Sequence, residues 1–238
     1  MIKSFCIFCI AEGSFVFQAR EEPKILVNPI TIEDARKKSL EEVLNAIDIS
    51  MDKIIFTKID KKAIMEWASK TPVFVSDVST SMKVQLDRSI RSNIIPIKAG
   101  EWFPVSGSID IFFVNMSFMS EYNDNGLLIT YNKLSILYLP SLIKTKDTTY
   151  IDVIVIPINA LEKALTVMEK HKEYAPFLNI ETRFIVFLSS EKRSALLQSI
   201  INTNIGGGSI IVLSPKEKVC FVSHLGKIYV IRRTCNKS

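Results

Sequence analysis

Asp77, Ser79 and Ser81 are the residues of this chain whose types and spacing point most directly to chemistry. They follow the strand-like run Val73-Phe74-Val75 and lead into a segment with helical character from Met82 to Ser92. A carboxylate and two hydroxyls at alternate positions are hard oxygen ligands, the kind that Mg2+ takes in octahedral geometry while keeping several waters. Open α/β sheets bind ligands beyond the carboxyl ends of their strands, where a strand-to-helix turn would hold these side chains. Asp and Ser are also ordinary helix caps, so the same residues have a purely structural use.

Other combinations say less. Asp110 and Asp152 come at strand starts and Asp77 at a strand end, so parallel strands would set them at opposite edges of a sheet. Brought together with Asp77, they would make a Mg2+-dependent phosphohydrolase or nuclease. With two histidines, His171 and His224, and no serine or cysteine elbow, a hydrolase triad is not expected. Gly206-Gly207-Gly208 follows a helix-like segment and precedes a strand, the reverse of a phosphate loop, and reads as a helix C-cap. Cys6 and Cys9 have no second pair to complete a zinc site. They read as thiols on opposite faces of one strand. Trp102-Phe103-Pro104 reads as a loop packed on the body of the protein, with a partner-binding anchor as the alternative.

These residues need elements to position them. The 47% hydrophobic content of 238 residues supplies a sizeable core. A hairpin is expected at Phe5 to Phe17 about Glu12-Gly13-Ser14, and Thr31 with Asp34 reads as a helix start ahead of Leu40, Val43, Leu44 and Ile47. A strand at Lys53 to Ile59 and a helix at Lys61 to Lys70 precede Thr71-Pro72, which marks a module edge. Strands are expected at Val73 to Ser76, Ile109 to Phe113, Leu127 to Tyr131, Leu134 to Leu139, Tyr150 to Ile156, Phe184 to Leu188 and Ser209 to Leu213. Helices are expected at Leu161 to Tyr174 and Glu191 to Ile201, and a last strand pair about Ser223 to Gly226. Continuous apolar strands separated by helices imply burial on both faces. The expected fold is therefore a doubly wound, mostly parallel α/β sheet over residues 71–238, with an N-terminal hairpin and helix extension over 1–70.

Phe74-Val75-Ser76-Asp77-Val78-Ser79-Thr80-Ser81-Met82-Lys83 resembles the first motif of von Willebrand factor type A domains, where a strand runs into Asp-x-Ser-Gly-Ser-Met. The resemblance implies a protein-binding module in which Asp77, Ser79 and Ser81 hold Mg2+ and an acidic group of a partner protein completes the metal. The usual Gly is Thr80 here, and the family's later Asp-Gly turn would fall at Ser189-Ser190-Glu191. These departures favour a rival reading, a metal-free scaffold subunit of an intracellular complex. The excess charge of +5 is spread thinly, which disfavours a dedicated nucleic-acid surface. No run reaches the roughly 20 apolar residues of a membrane span, so a cytoplasmic protein is expected.

Overall fold

The computed structural model describes residues 3–31, 34, 52–58, 60–76, 91–115, 125–140, 149–160, 180–189, 208–224 and 227–234. The elements in chain order are β1 (Lys3–Ala11), β2 (Ser14–Ala19), β3 (Ile25–Val27), β4 (Lys53–Phe56), α1 (Lys61–Ala68), β5 (Val73–Ser76), β6 (Ile94–Ile97) and β7 (Trp102–Pro104). They continue with β8 (Ile109–Asn115), β9 (Asn125–Tyr131), β10 (Leu134–Tyr138), β11 (Thr149–Pro157), β12 (Ile180–Leu188), β13 (Ser209–Leu213), β14 (Glu217–His224) and β15 (Lys227–Thr234).

The strands form two mixed sheets. The first has the order β15-β14-β1-β2-β3-β4-β5-β6, and the second β13-β12-β11-β10-β9-β8-β7. In the first, β3 to β6 are parallel, whereas β15, β14, β1, β2 and β3 alternate. In the second, β10 to β13 are parallel and β7 to β10 form a meander.

Alternation along β1 shows what drives this arrangement. Phe5, Ile7 and Cys9 point into a core shared by the two sheets, where Phe15, Phe17, Phe221 and Val219 meet Ile111, Ile129, Val153 and Val186. Ile10 points the other way, into a second core that α1 covers with Ala63, Ile64 and Ala68. A third core, with Leu137, Ile154, Ile156 and Phe187, lies on the outer face of the second sheet. α1 begins at Asp60, whose carboxylate accepts from the Ala63 amide at 3.0 Å.

This is not the expected doubly wound sheet with an N-terminal extension. The reason is physical: burial on both strand faces is met here by two sheets packed on each other, each with a further apolar face. One sheet between two helix layers is a different solution to the same requirement. The N-terminal strands are not an appendage, since β1 to β3 sit in the middle of the larger sheet. β4 and β5, either side of residue 71, are parallel neighbours.

Cys6 is not a free thiol. It opposes Cys220 across β1 and β14, and the two form a disulfide over 214 residues of sequence, a bond that persists in oxidising surroundings. Cys9, on the opposite face of β1, is buried and free. Trp102 to Pro104 is strand β7 rather than a loop, with Trp102 against Phe112 and Phe103 against Phe74. No helix among the described residues is long and apolar enough to cross a membrane.

Candidate functional site

The carboxyl ends of β3, β4, β5 and β10 to β13 reach the same edge of the sandwich, as the cross-sheet contacts there establish. The first residues past the strands are therefore neighbours although they are far apart in sequence. Asn28, just past β3, has a left-handed backbone with φ 48° and is buried. Its amide nitrogen donates to the Thr57 hydroxyl at 2.8 Å and to the Tyr138 hydroxyl at 3.3 Å, and its carbonyl accepts from the Thr57 amide at 2.8 Å. Tyr138 in turn donates to the Gly13 carbonyl at 3.2 Å, so the β1–β2 turn, β3, β4 and β10 are tied in one network. Gly13 has φ 81°, which the tight two-residue turn requires. Ser14, the first residue of β2 after that turn, is buried with a hydroxyl that has no hydrogen-bond partner among the described residues.

A second contact lies beside the first. Asn125 donates from its side-chain amide to the Ser76 hydroxyl at 2.7 Å and from its backbone to the Thr57 carbonyl at 2.9 Å. Ser76 is the last residue of β5 and directly precedes Asp77. Asp77, Ser79 and Ser81 themselves lie outside the described residues.

The described carboxylates of this edge have structural duties. Glu12 accepts from the Asn159 amide at 2.7 Å, Glu217 from the Ser214 amide at 2.9 Å, and Asp60 caps α1. Cys9 lies below the same edge. Its burial, and then the Glu217 and Glu12 carboxylates, push the thiol from 9.0 up to about 12, so it is protonated at neutral pH.

The strand-start carboxylates are at the other edge. Asp152 is buried at the start of β11, where it accepts from the Ser135 amide at 2.9 Å and hydroxyl at 3.2 Å and from the Tyr150 hydroxyl at 3.2 Å. Arg183 lies 3.8 Å from it. Burial and the Asp152 carboxylate both hold the Tyr150 phenol above its ordinary range. Asp110, at the start of β8, opposes Pro104 at that same far edge. Neither carboxylate lies at the edge where β5 ends.

Among the described residues, this edge offers no set of nitrogen or sulfur donors for a metal centre. Zinc in a catalytic site takes three protein ligands drawn from His, Cys, Asp and Glu. Among the described residues no group of three such side chains could hold a metal. Of the two histidines, His224 is exposed at the far end of β14, and His171 lies outside the described residues. The described polar groups that ring the edge, Asn28, Thr57, Ser76, Asn125 and Tyr138, offer oxygen, the chemistry of hard cations.

No protein-family model matches the sequence, and the curated proteins give no match either. Solved structures do match in shape. The metallo-beta-lactamase fold protein YhfI from Bacillus subtilis superposes with a TM-score of 0.56 at 12% identity, over 96% of this chain and 99% of that one. Zn2+-bound PqqB from Methylobacterium extorquens gives 0.54 at 11% identity, over 86% of this chain and 85% of its own. A diphosphatase of the PhnP family gives 0.52 at 12% identity, over 90% and 96%. The chain has the metallo-beta-lactamase fold. At these identities the likeness speaks for the fold alone.

That fold overturns the likeness to type A domains, whose single doubly wound sheet is not the paired mixed sheets seen here. With it goes the binding module in which a partner's carboxylate completes the Mg2+, and the type A-like scaffold offered as its rival. The short motif about Asp77 misled because a strand ending in Asp and Ser before a helix-like segment is common to many α/β layouts. The Asn28-Thr57-Tyr138 network went unnoticed in the sequence. Its one local signal is a polar residue directly after each of two apolar runs, Ile25-Leu26-Val27-Asn28 and Ile54-Ile55-Phe56-Thr57.

Proposed function

We propose that this chain is a Mg2+-dependent phosphoester hydrolase working at the carboxyl edge of its two sheets, with Asp77, Ser79 and Ser81 as the residues that would hold the metal. One observation carries the reading: β5 ends at Ser76 within an oxygen-lined edge where strands of both sheets finish, and Asp77 is the next residue of the chain. The metallo-beta-lactamase fold agrees with it, since one structure of that shape is a diphosphatase.

Bound there, Mg2+ would neutralise phosphate charge and lower the pKa of a bound water. The chain's own residues set the stage for this. The Asn125–Ser76 bond clamps the end of β5 to the second sheet, which limits the positions open to the residue that follows. Lys58, exposed just past Thr57, supplies a positive charge for a non-bridging phosphate oxygen. Asn28 and Tyr138 keep that strand end rigid through Thr57.

The test is turnover of a panel of phosphomonoesters and phosphodiesters by the full chain in Mg2+, Mn2+ or EDTA. Turnover that EDTA abolishes and Asp77→Asn lowers by about a hundredfold or more is the expected result. Activity that survives in Asp77→Asn would move the metal elsewhere. No turnover across the panel, together with no Mg2+-dependent rise in Tm, would overturn the reading.

A further inference from the structure

Away from the strand ends that form that site, the larger sheet finishes on an open strand. β15 pairs with β14 on one side, and among the described residues no strand pairs with its other side. The strand is eight residues long, and it exposes apolar side chains on both faces. Val230 opposes the buried Phe221 and so faces the second sheet, whereas Tyr229 and Ile231 oppose Val222 and Cys220 on the outer face. Their exposures are 38%, 52% and 44%. Soluble proteins ordinarily blunt or cover a long edge strand of this kind, because its free amides and carbonyls template pairing with another chain.

A groove of about 630 Å3 runs beside the start of the strand, lined by Thr182, Arg183, Phe184, Ser209, Ile228 and Tyr229, with Lys227 at its rim. Gly208, next to Ser209, lets the backbone pass close to Thr182, since a Cβ there would lie 2.9 Å from the Thr182 carbonyl.

Charge selects the occupant. From residue 216 to the end the chain carries six basic residues against one acidic, a net +5 that equals the charge of the whole protein. A second copy is disfavoured, because antiparallel self-pairing centred on Val230 sets Lys227 opposite Arg233, and like charges facing across strands are destabilising. An acidic extended segment has neither problem.

We propose that β15 accepts an extended, acidic segment of a partner protein as a ninth strand of the larger sheet. The backbone of β15 supplies the ladder, Tyr229, Val230 and Ile231 take the apolar side chains, and Lys227 attracts the carboxylates. This surface is independent of the metal reading.

The experiment titrates the full chain against a fluorescent peptide of alternating valine and glutamate as long as β15, read by anisotropy in EDTA. Saturable binding is expected, with about tenfold weaker binding for the valine-lysine counterpart, for a peptide N-methylated at every second residue, and for Tyr229→Asp. Lys227→Glu should weaken the acidic peptide and strengthen the basic one. The Tm of each variant checks its fold. Equal binding of plain and N-methylated peptides would overturn strand addition, and no binding at millimolar protein would overturn the surface itself. Tighter binding of an oligothymidylate than of the acidic peptide would make it a nucleic-acid surface instead. A dimer that Tyr229→Asp dissolves would make it a self-interface.

Discussion

Cys9 shows how one side chain reports its surroundings. The thiol donates to the Ala11 carbonyl at 3.8 Å inside a closed apolar layer, and ionising it there means placing a charge in that layer beside Glu217 and Glu12. Below its ordinary value of 9.0 the thiol is protonated whether the chain is folded or not, and it contributes no pH dependence. Between 9.0 and about 12 the folded state keeps a proton that the unfolded state gives up, so stability is lost as pH rises through that window. The slope from this residue is at most about 1.4 kcal/mol per pH unit. Urea unfolding between about pH 8 and pH 11 should therefore fall less steeply for Cys9→Ala than for the unaltered chain, the difference cancelling the lysines and tyrosines that titrate alongside. Parallel slopes would remove Cys9 from the account. Cys6 and Cys9 were legible in the sequence as facing opposite ways, because side chains alternate along a strand. That Cys6 meets Cys220 was not, because no local pattern records a partner 214 residues away.

At the scale of elements, the aromatic stack between the sheets holds the strand order together. Phe221 of β14 lies 4.9 Å from Phe5 of β1 and 5.3 Å from Phe184 of β12, and Phe5 lies 5.5 Å from Phe17 of β2. One ring thus joins the C-terminal hairpin, the N-terminal hairpin and the second sheet. Phe221→Ala leaves a cavity among three strands that are themselves paired and have little room to collapse, and should cost about 3 to 5 kcal/mol. Denaturant unfolding measures this, and a loss under about 1 kcal/mol would mean that the stack is dispensable. Most of the described elements could be read from the sequence, although no strand was expected at β3 or β6. The first hairpin, the capping pair of Thr31 with Asp34, α1 and most strands lie where apolar periodicity and turn residues put them. The helices expected at 40–47, 82–92, 161–174 and 191–201 fall essentially outside the described residues. β7 was misread because Gly100 and Gly107 frame a three-residue strand too short to show alternation.

The molecule as a whole is closed by its two ends. β1 takes β14 as its neighbour, the Cys6–Cys220 bond ties them, and Lys3 donates to the Asn132 carbonyl of the second sheet at 2.8 Å. A crosslink that closes so long a loop removes much of the freedom of the unfolded chain. Cys6→Ser should then lower stability by about 2 to 5 kcal/mol without reductant and by far less in dithiothreitol, where the unaltered chain loses the bond too. Equal stabilities without reductant would mean that the pair is reduced in the purified protein. By itself the sequence determined α1, most of the strands, their apolar faces and the need to bury both sides of most strands, because those follow from residue type and a period of two or 3.6. Only the tertiary structure decided that the strands divide into two sheets, that the N-terminal hairpin sits at the centre of one, and that Asn28, Thr57, Ser76, Asn125 and Tyr138 share an edge. These are pairings between segments tens to hundreds of residues apart. Many of them satisfy the same local pattern, and the packing of the whole core selects among them.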